Sequence, residues 1–263
     1  MSSNEGIGDA QLIRGRIHNL RRNRCRRDFV FNASDRAKMG SAAVAAGLAG
    51  LGAAAAGLGN MAMDTTEEAD LIEFELDGNS VKAWVWVSVF NEGDEVDIVA
   101  EPNGGRWIGY GIRRVSDGIV ALHPHCSRGR YAHYRASFGW FARIVGPLLV
   151  VGWAMLAITA YIKGVPASDA IPFVMCCAAA GAMAAAIYGL VAYRICKRFM
   201  GFVSLAESIF RAFGWQDVKN IDLPAITRKS KKPDDPPGLG IFFFRYGDSE
   251  ARARAHRSDV LSA

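Results

Sequence analysis

From Leu71 the chain runs Leu-Ile-Glu-Phe-Glu-Leu, apolar and acidic positions alternating, and then reaches Asp77-Gly78. A period of two marks a half-buried strand, and Asp-Gly between such runs is a strong tight-hairpin signal. The return run Ser80–Ser88 alternates Val81, Ala83, Val85 and Val87 with Lys82, Trp84 and Trp86. Glu92-Gly93-Asp94 turns the chain into Val96–Ala100, Pro102-Asn103-Gly104-Gly105 into Trp107–Ile112, and Ser116-Asp117-Gly118 into Ile119–Leu122. Short strands with turns about every eight to twelve residues predict a small antiparallel barrel of OB or SH3-like type. Gln11–Leu20 and Asp28–Phe31 also read as strands and are expected to pair with it.

Beyond the barrel the pattern changes to long apolar runs. Residues 144–162 carry no charge; at about 1.5 Å per residue they reach roughly 28 Å, close to the hydrocarbon thickness of a bilayer. Residues 170–193 form a second, Ala-richer run, separated from the first only by Lys163-Gly164-Val165-Pro166-Ala167-Ser168-Asp169. So short a connection predicts an antiparallel helical hairpin that crosses a membrane, with a buried soluble hairpin as the alternative. Gly181 and Gly189, with nearby alanines, offer a small-residue surface for helix contact. In 196–213, Phe199, Phe202, Val203, Ala206, Ile209, Phe210 and Phe213 share one helical face. That face suits a helix lying on the membrane surface, or one packed on the barrel. The segment after it, with Arg228-Lys229-Ser230-Lys231-Lys232 and Asp234-Asp235-Pro236-Pro237, reads as linker and charged tail, with Ile241–Phe244 a short strand.

The segment 41–63 is apolar but rich in glycine, and Gly50-Leu51-Gly52 recurs as Gly57-Leu58-Gly59. A single crossing here would separate the N-terminal strands from the barrel they are expected to complete. It therefore reads as a glycine-zipper-like helical insertion that packs tightly or enters lipid, with a plain buried helix or linker as the alternative. The expected divisions are 1–39 basic N-terminal strands, 40–63 insertion, 64–127 barrel, 138–193 hairpin, 194–216 amphipathic helix and 217–263 linker and tail: an α+β membrane protein.

Composition agrees with this division. The 263 residues are 51% apolar and 22% charged, and the mean hydropathy of +0.09 is that of a polar part joined to an apolar one. The net charge of +5 is unevenly spread. Basic residues dominate 1–40 with the run Arg21-Arg22-Asn23-Arg24-Cys25-Arg26-Arg27, while residues 64–101 hold twelve acids against Lys82. Arg128, Arg130, Arg135 and Arg143 precede the first apolar run, and Arg194, Lys197 and Arg198 follow the second. By the positive-inside rule these mark the cytoplasmic membrane interface and place both termini in the cytoplasm. Clusters that flank apolar runs argue for lipid rather than nucleic acid as partner. Five cysteines, two of them inside an apolar run, fit a reducing compartment.

Candidate chemistry is confined to one stretch, His123-Pro124-His125-Cys126-Ser127-Arg128-Gly129-Arg130-Tyr131-Ala132-His133. His123, His125, Cys126 and His133 are donors of the kind that hold zinc or copper, but their spacing matches no standard finger, so a polar elbow between barrel and membrane is the expected role. The chain has no GxSxG, HExxH, P-loop or dinucleotide motif, so neither an enzyme nor a cofactor is expected.

The undecapeptide 123–133 resembles a signature of small bacterial membrane proteins identified as type VI secretion system effectors. The stretches 84–101 (WVWVSVFNEGDEVDIVAE) and 17–47 are similar to the same family. The resemblance covers roughly 1–195 and implies an Ala/Gly-rich segment, a small β-domain and a two-helix membrane hairpin; it supplies no catalytic residues. It implies an inner-membrane protein associated with type VI secretion that perturbs a bilayer by forming a pore. The alternative is a resident accessory or immunity-type membrane protein whose cytoplasmic β-domain binds a protein partner. Expected partners are the bilayer, a second copy of the chain or a secretion component.

Overall fold

A computed structural model describes residues 10–30, 33–48, 50, 52, 56, 66–164 and 166–247. Its elements are β1 (Gln11–Arg27), α1 (Ala33–Leu48), β2 (Glu67–Leu76), β3 (Asn79–Val85), β4 (Glu95–Asn103), β5 (Arg106–Arg114), β6 (Ile119–Leu122), α2 (Arg130–Ile162), α3 (Ala167–Arg198), α4 (Met200–Ala212), a 3-10 turn (Val218–Asn220), α5 (Leu223–Ser230) and β7 (Phe244–Arg245). The fold is α+β: a closed five-stranded barrel and two long apolar helices.

The strands run β3-β2-β1-β4-β5, and β5 returns to β3 to close the ring. The barrel was expected to be antiparallel throughout; the closing pair, Val81 with Trp107 through Ala83 with Gly109, is parallel. A ring with an odd number of strands cannot alternate direction at every step, so one parallel pair is unavoidable. This strand order is that of an OB barrel. Strand β1 serves two neighbours, pairing residues 11–16 with β4 and 17–27 with β2. The change falls between Arg16 and Ile17, and a bulge follows between His18 and Arg21, where Asn19 adopts φ +54°, a region Asn tolerates. The Glu92 carboxylate accepts from the Asn19 and Leu20 amides at 2.9 and 3.0 Å.

The segregated charges turn out to be a strand-pairing device. Arg21, Arg24, Arg26 and Arg27 of β1 lie opposite Glu73, Asp70, Glu68 and Glu67 of β2. Arg14 lies opposite Asp97 of β4, and the two pair at 2.6 Å. A slip of one residue would turn every side chain to the other face and break these pairs together with the core. The ladder carries β1 straight through the arginine run to Arg27. Hence the second N-terminal strand expected at 28–31 does not form: Asp28–Val30 leave the sheet in a bend, and Phe31 lies outside the described residues.

Two cores result. Inside the barrel lie Ile17, Ile72, Phe74, Val81, Ile98 and Ile112 with their neighbours. On its outer face, Val99, Val120 and Leu122 meet Ala206, Ile209 and Phe210 of α4, and Trp215, Ile221 and Leu223 beyond it. Strand β6 is buried on both faces for this reason. Gly111 makes the approach possible: a Cβ there would lie 2.8 Å from Ile209 Cγ2 and 2.9 Å from Leu122 Cδ2.

This second core corrects two expectations. The amphipathic helix placed at 194–216 on the membrane surface instead buries its apolar face on the barrel, because β4–β6 offer an apolar outer surface of their own. Of the segment expected to be linker and tail, 217–247 is built into the fold. Asp222 caps α5 through the Ala225 amide, Arg245 pairs with Asp235 at 2.7 Å, β7 extends the sheet beside β6, and Tyr246 is fully buried.

Helices α2 and α3 leave this body side by side. They are 33 and 32 residues long, and in neither is any part of the apolar window buried. Both are therefore long and apolar enough to cross a membrane. Both start or end at the barrel, so β1, the barrel and 217–247 sit at one end of the hairpin and the turn at Lys163 and Gly164 at the other.

Candidate functional site at the barrel–hairpin joint

The stretch 123–133 forms the joint, and nearly every residue in it has a structural partner. The Cys126 amide donates to the His123 carbonyl at 3.1 Å, closing a four-residue turn. Pro124 occupies its second position and His125, at φ +68°, its third, the pattern of a type II turn that usually takes Gly there. His125 is held in this uncommon conformation by Glu67, 2.8 Å from its Nε2, and by ring contacts with Trp86, Phe199 and Phe202. The His123 ring lies between Phe29 and Phe202. Burial there pushes its pKa down to about 4, so the ring is neutral at pH 7.

Next, residues 127–129 pair with 221–223. The Gly129 amide donates to the Ile221 carbonyl at 2.9 Å, the Leu223 amide to the Ser127 carbonyl at 3.2 Å, and the Arg128 side chain binds Asp222. The chains come so close at Gly129 that a Cβ would overlap the Val218 carbonyl oxygen and lie 2.8 Å from the Lys219 carbonyl carbon. Helix α2 then begins, and its first amide, on Arg130, donates to Glu207 of α4 at 2.9 Å. Glu207 is buried, lies 3.6 Å from the Arg130 guanidinium, and places a carboxylate at the positive end of α2. One turn on, Ala132 is fully buried and His133 Nε2 sits 3.3 Å from the Cys196 carbonyl, tying α2 to the end of α3. Arg198, the last residue of α3, pairs with Asp35 and donates to the Val30 carbonyl, so α1 starts at the same joint.

The possible metal ligands go to different neighbours. His123 lies among aromatic rings, His125 on Glu67, His133 on α3, and Cys126 in the second core, where burial pushes its thiol pKa up. Among the described residues no three His, Cys, Asp or Glu side chains are grouped to share a metal ion. The basic residues assigned to a membrane interface divide into two sets. Arg128, Arg130 and Arg198 are held by Asp222, Glu207 and Asp35. Arg135, Arg143, Arg194 and Lys197 are exposed around the base of the hairpin, Lys197 with its ammonium 5.6 Å from the Tyr193 ring centre. Of the glycines expected at helix contacts, Gly181 faces Trp153 and Gly189 faces Phe141, where a Cβ would make ordinary contacts at 3.9 and 3.8 Å. Gly50 and Gly52 have nothing near enough to meet a Cβ, and Gly57 and Gly59 lie outside the described residues.

Sequence reasoning passed over the acidic half of this joint. Glu67, Asp222 and Asp35 look like ordinary surface acids, but Glu207 left a trace: it stands beside Ala206 in an apolar helix where only a paired carboxylate is readily buried.

Two cavities flank the joint and barrel. One, of about 580 Å³, opens between the bases of α2 and α3. The other, of about 600 Å³, lies on the β1–β3 side of the barrel, with Arg21, Glu73, Glu75, Lys82 and Arg106 among its lining residues.

The molecule is thus a small mixed β-barrel fused through a hydrogen-bonded joint to a pair of helices of membrane-spanning length. No protein-family model, curated protein or solved structure matches this chain.

Proposed function

We propose that the chain is a bacterial inner-membrane protein whose α2–α3 hairpin crosses the bilayer and holds the barrel at the cytoplasmic surface, with both termini cytoplasmic. In this reading it is a resident accessory or immunity-type component of type VI secretion, and its barrel binds a protein partner. One observation carries the membrane part: two helices of 33 and 32 residues whose apolar windows are entirely unburied. Exposed apolar surface on that scale is stable only outside water. The basic belt of Arg135, Arg143, Arg194 and Lys197 at the barrel end supports the orientation. Residence is favoured over pore formation by the hairpin's chemistry, since only Lys163 and Asp169 are charged between 144 and 193. Such a hairpin has no charged stripe to line an aqueous pore. The polar groove beside Glu73 and Lys82 is the candidate partner face, by analogy with the ligand face of OB barrels.

A second reading is the membrane-perturbing effector that the family resemblance implies. Its own support is α1, anchored at the joint through Asp35, with Val44 and Leu48 exposed by 65% and 86% at the start of the Ala/Gly-rich run.

Expression in a naive bacterial host with paired reporters tests both. A reporter inserted at Pro166 is expected in the periplasm and one after Ala263 in the cytoplasm, with unaltered growth. The reverse reporter pattern, or recovery of the chain in the soluble fraction without detergent, overturns the membrane reading. Depolarisation abolished by deleting 41–63 would replace the resident protein by the effector.

A further inference from the structure

The cavity at the base of the hairpin has a polarity gradient along the helix axes. At its barrel end the wall is formed by His125, Ser127, Arg128, His133 and Ser137. Further along α2 the lining becomes Trp140, Phe141 and Ile144, faced by Tyr188, Val191 and Ile195 of α3. These positions recur at three- and four-residue spacing on each helix, so the two stripes face each other as in a helix pair. Together with the joint they enclose about 580 Å³, within the roughly 300–1,000 Å³ range of small-molecule pockets. Arg128 is tethered to Asp222 through Nε, and among the described residues no acceptor takes its two Nη groups. Arg128 is the charged side chain of this lining and makes its polar end cationic, while His125, His133, Ser127 and Ser137 supply hydrogen-bonding groups. A cationic, hydrogen-bonding end that passes over about two helical turns into an aromatic and aliphatic slot matches one kind of molecule.

We propose that this cavity is a binding site for one anionic phospholipid, with its phosphate on the Arg128 fork and an acyl chain between α2 and α3. The inference rests on the membrane reading above, because only a hairpin in a bilayer meets lipid from the side. The lipid would fill the gap between the stripes and brace the hairpin against the joint. Arg suits the headgroup because its planar fork binds two phosphate oxygens at once.

The test uses the full chain purified in mild detergent and a phosphatidylglycerol with a photoreactive group in its acyl chain. Crosslinks are expected to concentrate at 140–145 and 188–195. Unlabelled phosphatidylglycerol should displace the probe roughly tenfold better than phosphatidylcholine, which carries the same phosphate but sets a choline cation beside the Arg128 guanidinium. Glycerol phosphate, which lacks the chains, should not displace it. Crosslinks spread evenly over outward positions such as Leu148, Met155 and Ile158 would show annular lipid only and overturn the site. Equal competition by phosphatidylcholine overturns the anionic headgroup, and competition by glycerol phosphate overturns the lipid. Ala192→Phe, which fills the slot, should abolish the focused crosslinks, and Arg128→Gln should erase the preference between the lipids. Should either variant misfold, the crosslink map of the unaltered chain still decides. Failure of the membrane reading is separate: the chain would then leave the membrane fraction without detergent.

Discussion

At the scale of single residues, the joint depends on backbones packed too closely for side chains. Gly129 is the tightest point, and its neighbours are carbonyl groups of 218–219, themselves fixed by the pairing of 127–129 with 221–223. Gly129→Ala should therefore lower stability by about 2–3 kcal/mol, the upper range for overpacking. Gly139→Ala is the comparison: its Cβ would meet only the end of Arg143 at 3.5 Å, and alanine should gain up to about 1 kcal/mol of helix propensity. Thermal unfolding of both variants in detergent checks this pair, and equal melting temperatures would contradict the close approach. His123 gives the joint a pH dependence. Its folded pKa of about 4 lies below the ordinary 6.5, so the unfolded chain binds the proton first as pH falls. Stability from this group is complete above about pH 6.5 and declines toward pH 4, by about 1–2 kcal/mol at pH 5. His123→Phe keeps a ring between Phe29 and Phe202 and should flatten the difference in melting between pH 7 and 5. An unchanged slope would place that pH dependence elsewhere. Asp97 acts in a separate, more acidic window. Burial alone raises its pKa, but hydrogen bonds from Arg14 and Arg113 outweigh that and hold the carboxylate below its ordinary value. Its contribution is thus lost only as pH falls below about 3.8.

At the scale of elements, α4 separates what a pattern shows from what it leaves open. Periodicity locates an amphipathic helix after Cys196, but the same stripe suits a lipid surface or a sheet. The choice was made by the outer face of β4–β6, where Val99, Val120 and Leu122 wait for a partner, and by Gly111, which lets the helix reach them. Val120 and Leu122 do not announce an outward apolar face, because strands buried on both sides and strands buried on one are hard to tell apart when, like β6, they are only four residues long. Phe210→Ala removes a fully buried ring from this interface and should cost about 3–5 kcal/mol, read as a loss of melting temperature with membrane association unchanged. Membrane release without loss of stability would instead mean that α4 lies on lipid. The barrel strands were legible because turn residues mark their ends. The parallel closure was not, since strand direction at a closing pair depends on how many strands complete the ring.

At the scale of the whole molecule, the proposed membrane location rests on the hairpin. Val151→Arg combined with Met155→Arg puts two charges in the middle of α2, each costing roughly 2.5–3.5 kcal/mol in a bilayer centre. The variant should lose resistance to alkaline extraction from membranes, and retained resistance would mean that another segment anchors the protein. The sequence by itself determined the two apolar helices, the turn between them and the barrel strands, because length, hydropathy and turn chemistry are local properties. It also held the charge pattern in full, but not the partners of those charges. The arginine run of β1 and Arg128, Arg130 and Arg198 are visible as basic clusters, and only the fold brought Glu68, Asp70, Asp222, Glu207 and Asp35 against them. Ion pairs and close packing join residues distant in the chain, so their partners exist only once the barrel has closed and α4 and 217–247 have folded back upon it.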